Sequence, residues 1–166
     1  MSITDPHSGK VRFSVVPAAY VYLLRGGEIG APGGAGVEVL LQLRQNTGFM
    51  DDHWAAAAAG HIERWETAAE AIAREAAEEI GVHDVVLDFA TSMQRTQRGL
   101  EIDERVDFFF TARSWRGEPR IMEGAKCADL RWFALDDLPE AVVPHERFVL
   151  DGLRDATLAP LTAHGF

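Results

Sequence analysis

Apolar and polar residues alternate along VEVLLQLRQ, residues 37–45. The apolar residues fall on one side of the chain, namely Val37, Val39, Leu41 and Leu43. The polar residues fall on the other side, namely Glu38, Gln42 and Arg44. A period of two predicts a half-buried strand. The run SVVPAAYVYLLR, residues 14–25, is rich in Val, Tyr and Leu, and the glycine-rich RGGEIGAPGGAG joins the two. Residues 14–45 therefore predict a hairpin with a long loop.

A helix is predicted in the alanine-rich stretch that follows. Thr67 and Glu70, three residues apart, form a capping-box pattern, so the helix should begin near Ala68. Gly81 suits the C-terminal cap of that helix. Its apolar residues span an arc of about 60° to 160° when Glu75 is set at zero and each residue advances about 100°. These residues are Ile72, Ala76, Ala69, Ile80 and Ala73.

The second half of the chain predicts more strands than helices. Residues 85–97, VVLDFATSMQRTQ, and residues 104–115, ERVDFFFTARSW, have strand patterns, the second with Val106, Phe108 and Phe110 on one side. Residues 129–139, DLRWFALDDLP, predict a short strand and a turn. Residues 145–156, HERFVLDGLRDA, predict a closing helix whose buried face holds Phe148, Val149 and Leu153. We expect one α+β domain over residues 1–166, with residues 1–12 as a flexible polar leader.

Composition and charge limit the functions that this domain can have. The chain has 166 residues, 47% of them hydrophobic and 25% charged, which is typical of a soluble globular domain. The formal net charge is -10, so nucleic acid and anionic membranes would be repelled. The single cysteine, Cys127, cannot form an internal disulfide, and no apolar stretch approaches the roughly 18 to 20 residues of a membrane helix. We expect a reduced, cytoplasmic protein.

Three glutamates share one stripe of the predicted helix. With Glu75 at zero, Glu79 lies at about 40° and Glu78 at about 300°. Like charges at this spacing destabilise an isolated helix by about 0.2 to 0.5 kcal/mol per pair, and the helix dipole also disfavours acids in the last turn. The helix has no lysine and only one base, Arg74. Clustered carboxylates suit Mg²⁺ or Mn²⁺, which prefer oxygen ligands. From spacing alone, a metal site and a solvated acidic face both remain open.

The spacing of residues 60–82 resembles a known family motif. Gly60 is followed after five residues by Glu66, and after seven more by Arg74-Glu75-Ala76-Ala77-Glu78-Glu79-Ile80-Gly81-Val82. This resembles the complete Nudix box, G-x5-E-x7-R-E-U-x-E-E-x-G-U, in which U is apolar. The flanking segments NTGFMDDHW, residues 46–54, and KCADLRWFALDDLP, residues 126–139, are similar to those of nucleotide-hydrolysing bacterial members. The resemblance implies a mixed β-sheet sandwiched between helices.

The resemblance also implies an active site and a reaction. It assigns Glu75, Glu78 and Glu79 as ligands of Mg²⁺, with the Gly60 carbonyl as a further ligand and Mn²⁺ as the alternative ion. Catalysis would then rest on Glu75, Glu79, Arg74, Glu66 and Glu123. Arg74, paired with Glu66, would orient the ligands. The general base would be Glu75 or Glu123, although Glu123 could equally be a solvated loop acid. The reaction would be hydrolysis of a diphosphate linkage in a nucleoside diphosphate linked to another group X.

Trp65 departs from the family pattern, since many members have glycine before the glutamate of the box. A tryptophan there should exclude a backbone conformation that only glycine tolerates. Its indole would cover substrate or a partner chain, or serve as a packing anchor. The other candidate substrate contacts are Phe49 and Trp54 for stacking on a base and Asn46 and Asp52 for reading its edge, and each of the four could equally be ordinary turn or core.

Subclass signals favour one substrate by elimination. Residues Ser92 to Arg98 contain no proline, which many ADP-ribose hydrolases carry there. They also contain no tyrosine, which dinucleoside polyphosphate hydrolases often carry in that region, because the only tyrosines are Tyr20 and Tyr22. We therefore expect a nucleoside triphosphate, including modified deoxynucleotides, cleaved to monophosphate and diphosphate. A nucleotide-sugar or ADP-ribose type diphosphatase is the first alternative. A nucleotide-binding regulatory module without turnover is the second, although the intact glutamates argue against it. The expected partner is a small nucleotide, and the protein would be a monomer or a homodimer.

Overall fold

Ten strands and two α-helices form the fold of this computed structural model, which describes residues 2–166. The strands are β1 Ser2–Thr4, β2 Val11–Phe13, β3 Val16–Gly26, β4 Val37–Arg44, β5 Trp54–Ala56, β6 Ala58–His61, β7 His83–Arg95, β8 Arg105–Arg116, β9 Cys127–Ala134 and β10 Leu161–His164. The helices are α1 Ala68–Ile80 and α2 Pro144–Arg154. Between residues 2 and 166, no helix is both long and apolar enough to cross a membrane.

The main sheet is mixed and is centred on β3. Strand β3 pairs in parallel with β8 and antiparallel with β4 and β6. Strand β7 is antiparallel to β8 and parallel to β10, while β4 also pairs with β5 and β9. The predicted hairpin is present, with Leu24 opposite Val39 and Gly26 opposite Val37. Because β3 is apolar along both faces, it can be covered on both sides, as a central strand must be.

The two helices cover opposite sides of β3. The even-numbered residues of β3, Tyr20, Tyr22 and Leu24, share a buried cluster with Val149, Leu150 and Leu153 of α2. The odd-numbered residues, Ala19, Val21 and Leu23, share a second cluster with Ala71, Ile72, Ala76 and Ile80 of α1. The α+β fold predicted from the sequence, a mixed sheet sandwiched between helices, is therefore confirmed.

Several details of the predicted pattern are wrong. Phe148 is 44% exposed, because the buried stripe of α2 follows Glu146, Val149, Leu150 and Leu153 at helical spacing and leaves Phe148 to one side. Strand β4 is buried on both faces, so Gln42 is buried and its amide donates to the carbonyl of Ala56 at 3.0 Å. Within the polar leader, β1 and β2 form a small exposed antiparallel ribbon that the sequence pattern did not indicate.

Candidate active site

Helix α1 begins and ends where its capping residues predict. The Thr67 hydroxyl accepts from the Glu70 backbone N–H, and the Glu70 carboxylate accepts from the Thr67 N–H at 2.8 Å. Gly81 ends the helix with φ of 68°, a left-handed conformation that favours glycine. These caps fix the two ends of α1, and the packing of its buried residues on β3 sets the direction of its acidic residues.

Glu75 and Glu79 lie within the buried face of α1. The angular positions calculated from the sequence had placed them beside that face. The buried residues are Ala71, Ile72, Ala76 and Ile80, whereas Ala69 and Ala73, which we placed on the apolar arc, are exposed. At about 100° per residue, Ala71 lies at about 320° and the other three lie between about 60° and 140°. Both glutamates therefore lie between buried positions, because Ala71 extends the buried face to their other side.

The small residues of β6 make room for these two carboxylates. Glu79 Oε2 accepts the Ala59 backbone N–H at 2.9 Å. A Cβ at residue 60 would overlap the carboxylate of Glu75, so only glycine permits this close approach. Glu78, by contrast, has 56% of its side chain exposed. Two of the three glutamates therefore point toward the sheet, and the third borders them.

Arg74 connects the acids of the helix to the loop before it. Its Nε and NH2 donate to the two carboxylate oxygens of Glu66 at 2.9 and 3.0 Å, a bidentate pair. Its NH1 donates to Glu75 Oε1 at 2.6 Å and lies 3.6 Å from Glu78 Oε2. Bonding to Arg74 lowers the pKa of Glu66, and the pKa of Arg74 is raised, first by Glu66 and then by Glu75. Arg74 and Glu66 therefore hold Glu75 in a fixed position.

The buried acids resist ionisation. Burial is the main cause that raises the pKa of Glu79 to about 8; the charges of Glu75 and Glu123 contribute to this rise, and the bond from Ala59 opposes it. Burial also raises the pKa of Glu75, although Arg74 opposes that rise. Glu123 belongs to the loop before β9 and accepts from Lys126 Nζ at 3.1 Å. Since its charge acts on both helix glutamates, Glu123 lies in the same electrostatic site.

The residues fit a divalent cation in their donor chemistry, although their side chains do not surround one point. Within residues 2–166, no three His, Cys, Asp or Glu side chains converge closely enough to hold a metal ion as they stand. Glu75 and Glu79 each use one named oxygen for their hydrogen bonds, to Arg74 and Ala59 respectively. Mutually repelling carboxylates beside a glycine carbonyl are the hard oxygen donors that Mg²⁺ or Mn²⁺ prefers.

A cavity of about 420 Å³ adjoins this site at Ala59, Gly60 and His61. Of the five predicted substrate contacts, only Phe49 lines it. The Asn46 amide donates to the Ala125 carbonyl, and Asp52 is exposed. Trp54 packs edge-to-face on Phe133, with ring centres 4.6 Å apart. The cavity and the acidic site share the β6 backbone, at Ala59 and Gly60.

Trp65 contradicts both of its predicted structural properties. Its φ is 72°, in the left-handed region that we expected a tryptophan to exclude. The residue is 92% exposed, so it is not a packing anchor. The guanidinium carbon of Arg64 lies over its ring, 5.2 Å from the ring centre. Trp65 lies inside a turn in which the Glu66 N–H donates to the Glu63 carbonyl at 3.2 Å and the Glu66 carboxylate accepts the Glu63 N–H at 3.0 Å.

The sequence reasoning missed the polar residues of the cavity. Arg44, Arg95, Arg105, His145 and Glu146 line it. The sequence offered one signal. Glu146 lies on the apolar stripe of α2, three, four and seven residues before Val149, Leu150 and Leu153, and this spacing predicts that its carboxylate is buried. Arg44, Arg95 and Arg105 come from three different strands, and no local pattern indicates that they meet.

Comparison with known proteins agrees with the geometry. The NUDIX domain family model matches residues 16–152. No curated protein matches the chain. The structure resembles the crystal structure of a MutT NUDIX hydrolase from Burkholderia pseudomallei, with a TM-score of 0.70, 23% identity, and coverage of 83% of this chain and 97% of that one. It also resembles the MutT protein from Methanosarcina mazei Go1, with a TM-score of 0.65, 19% identity, and coverage of 84% and 92%.

A third similar structure is a UDP-X diphosphatase, with a TM-score of 0.60, 18% identity, and coverage of 95% of this chain and 70% of that one. At these identities, the structural matches establish the fold. The family model spans most of the chain and includes the acidic helix, β6 and the loop carrying Glu123. Nudix hydrolases act on nucleoside diphosphates linked to another group and generally use divalent metals such as Mg²⁺. The chain belongs to the Nudix family and is a pyrophosphohydrolase.

Proposed function

We propose that this protein hydrolyses nucleoside triphosphates, including modified deoxynucleotides, to monophosphate and diphosphate in a Mg²⁺-dependent reaction. One observation carries the proposal: the half-buried carboxylates of Glu79 and Glu75 lie together against β6, and burial raises both of their pKa values. Arg74 balances the charge of Glu75 through its 2.6 Å bond, whereas the hydrogen bond that Glu79 accepts comes from a neutral backbone N–H, so a second negative charge needs compensation. A bound cation supplies that compensation.

The proposed ligands are Glu75, Glu78 and Glu79 with the carbonyl of Gly60, and Mn²⁺ could replace Mg²⁺. When bound, the cation neutralises phosphate charge and makes water more acidic. Arg74 holds Glu75 through its 2.6 Å bond and is itself held by Glu66. This brace keeps Glu75 in position while the reaction proceeds.

The chemical step is substitution at phosphorus. Water attacks one phosphorus of the diphosphate linkage and forms a new P–O bond, while the bond from that phosphorus to the bridging oxygen breaks. The bridging oxygen leaves with the second phosphoryl group, and a carboxylate takes the proton of the water. Glu75 and Glu123 are the candidates for this base, since both belong to the same electrostatic site. Burial favours Glu75 by raising its pKa, whereas Lys126 holds Glu123.

One aromatic residue, Trp65, is proposed to contact the nucleoside, because its exposed ring stands next to Glu66. Phe49 lines the cavity, but Arg44 lies over its ring, so Phe49 is a weaker candidate for stacking on a base. Trp65→Ala should raise KM and leave kcat within about twofold, since the ring would bind substrate without entering the reaction. Asn46, Asp52 and Trp54 stay weaker candidates for the same role. Asn46 and Trp54 already contact other residues, and Asp52 does not line the cavity.

The decisive experiment is hydrolysis by wild type and Glu78→Gln across a panel of nucleotides, nucleotide sugars and ADP-ribose with Mg²⁺. Because Glu78 is more than half exposed, the variant should fold normally while hydrolysis falls by orders of magnitude. Glu118→Gln, at an exposed acid outside the site, is the matched control and should be unchanged. Equal turnover in Glu78→Gln and wild type, or turnover that EDTA does not reduce, would overturn the metal assignment.

The same panel separates the other candidate functions. A nucleotide-sugar or ADP-ribose type diphosphatase would need the same acidic residues, and the resemblance to a UDP-X diphosphatase supports it as the second candidate. Release of a sugar phosphate in place of diphosphate would identify that activity. Tight nucleotide binding without any product would identify a regulatory module. The intact set of Glu75, Glu78 and Glu79 argues against that last outcome.

A further inference from the structure

The cavity beside the acidic site has a lining of the opposite charge. Three guanidinium groups line it, those of Arg44, Arg95 and Arg105, although the whole chain has a net charge of -10. They come from the ends of β4, β7 and β8. Such a concentration of cations in an acidic protein raises the local concentration of anions.

Two of these arginines have charge that the protein does not neutralise through a hydrogen-bonded carboxylate. Arg44 donates from Nε to the Phe49 carbonyl and from NH2 to the Thr47 hydroxyl, both at 3.0 Å and both neutral acceptors. Arg105 Nε is buried without a hydrogen-bond partner among residues 2–166, and it forms an ion pair at 3.6 Å with Asp107 Oδ1, a carboxylate that it shares with Arg95. Arg95 differs, because its Nε donates to Asp107 Oδ2 at 2.7 Å.

His145 adds a further unsatisfied polar atom to the same wall. Its side chain is 5% exposed, and its Nε2 is buried with no partner within the described chain. Burial lowers the pKa of His145 well below its usual value, so the ring is neutral and can present an N–H at Nε2. A buried polar atom of this kind is normally hydrogen-bonded, to protein, water or ligand.

The two acids of the lining direct their named hydrogen bonds toward the protein. Asp103 Oδ2 accepts the Leu100 N–H at 2.8 Å. Glu146 Oε2 accepts the Ala56 N–H at 2.6 Å and the Tyr22 hydroxyl at 3.1 Å. The carboxylates of this wall are therefore partly neutralised by protein donors, whereas Arg44 and Arg105 lack hydrogen-bonded counterions.

The rings in the cavity are poorly placed to receive a nucleobase. Tyr20 stacks on Phe109 at 4.5 Å and meets the edge of His145 at 5.9 Å. Phe49 lies under Arg44, whose guanidinium carbon is 5.7 Å from the ring centre. The lining thus offers cationic donors more readily than open stacking faces.

We propose that this cavity is an anion subsite that receives the group X, and that X carries a phosphate or carboxylate bound by Arg44 and Arg105. The inference rests on the proposed function, since it places the scissile diphosphate at Gly60 and X beyond it. It deepens that function by excluding neutral X groups as the preferred class. A terminal phosphate of a nucleoside triphosphate satisfies this requirement, as does an acidic nucleotide sugar, whereas a neutral hexose does not.

Binding of inorganic diphosphate in EDTA, measured by isothermal titration calorimetry, tests the subsite without turnover. With divalent ions removed, the glutamates repel the anion, and binding reports on the arginines. Arg44→Gln and Arg105→Gln should each raise Kd at least about tenfold, because hydrogen bonds to charged groups are lost. Arg113→Gln, at an exposed arginine that donates to the Gly26 carbonyl, is the control and should bind as wild type does.

The result separates the subsite from the proposed reaction. No binding of diphosphate to wild type, or equal binding by wild type, Arg44→Gln and Arg105→Gln, overturns the subsite, even if Mg²⁺-dependent hydrolysis is observed. Weakened binding in both variants supports the subsite, even if no substrate of the panel is hydrolysed. Should Arg105→Gln fail to fold, Arg44→Gln decides alone, because Arg44 makes no bond to the buried Asp107.

Discussion

Glu79 of α1 and Glu146 of α2 occupy similar positions on opposite sides of the sheet. Each carboxylate accepts one backbone N–H from the short strands β5 and β6, Glu146 from Ala56 at 2.6 Å and Glu79 from Ala59 at 2.9 Å. Burial raises the pKa of both, to about 7 for Glu146 and to about 8 for Glu79. The two helices thus bring buried acids to the same piece of backbone.

The neighbours of the two acids differ. Glu146 also accepts the hydroxyl of Tyr22, a neutral donor that stabilises its charged form. Glu79 has Glu75 and Glu123 close enough for their charges to raise its pKa further. We propose that Glu146, which has two donors, fixes packing, whereas Glu79, which lies among like charges, binds a cation. On that proposal, the neighbours of the two carboxylates separate a structural role from a catalytic one better than burial or pKa alone.

Replacing each acid by glutamine should give the largest difference between the two, measured as the loss of hydrolysis. Glu79→Gln should lower Mg²⁺-dependent hydrolysis by about 10³-fold or more, because it removes a proposed ligand while keeping an acceptor for Ala59. Glu146→Gln should lower it by no more than about tenfold, through the adjoining cavity. Steady-state kinetics on the best substrate of the panel measures both. Similar losses in the two variants would remove the distinction.

The response of thermal stability to Mg²⁺ or Mn²⁺ should follow the same division. A ligand at 100 times its Kd stabilises the native state by about 2.7 kcal/mol, which is roughly 5 to 10 °C in Tm for a domain of this size. Wild type and Glu146→Gln should both gain this shift, and Glu79→Gln should lose most of it. Differential scanning fluorimetry with EDTA as baseline measures it. An undiminished shift in Glu79→Gln would place the cation elsewhere.

Local sequence patterns predicted helix α1 and the family accurately. Thr67, Glu70 and Gly81 fix the ends of α1 through bonds within a few residues, so short-range rules suffice. The spacing from Gly60 to Val82 identified the family for the same reason. The angular positions from the sequence placed the acids outside the buried face, because that face was defined by apolar side chains alone. They could not anticipate that the small residues of β6 would admit carboxylates.

Features that depend on distant residues could not be predicted. The cavity joins Arg44, Arg105 and His145 from separate elements, and no periodic pattern relates them. Trp65 adopts a left-handed backbone conformation that its residue type disfavours, within the turn from Glu63 to Glu66. The cavity depends on tertiary contacts, and the conformation of Trp65 departs from the local preference of its residue type.

The pH dependence of the free energy of unfolding in EDTA should show a smaller difference between Glu79 and Glu146. Both pKa values are raised above the unfolded value near 4.5, so the native state binds more protons and stability falls as pH rises. The fall should continue to about pH 8 for Glu79 and end near pH 7 for Glu146. Glu79→Gln should therefore exceed wild type in stability at pH 8, by on the order of 2 kcal/mol.

Urea unfolding at pH 5 and pH 8 measures this difference, and the two variants serve as controls for each other. At pH 5 both acids are mostly protonated in the native state, so each variant should match wild type closely. Between pH 7 and pH 8 only the gain from Glu79→Gln should still grow. A variant that stabilises equally at both pH values would show that charge burial is not the cause.

Tyr22→Phe should have the smallest effect and should act on one acid only. The substitution keeps the buried ring and removes the hydroxyl that donates to Glu146 at 3.1 Å. Loss of one such bond should lower the free energy of unfolding by about 1 kcal/mol at pH 8, where Glu146 is ionised and relies on its donors. The Mg²⁺-induced shift in Tm should stay as in wild type. If that shift also changed, the two acids would be coupled through β5 and β6, and the structural acid would be part of the cation site.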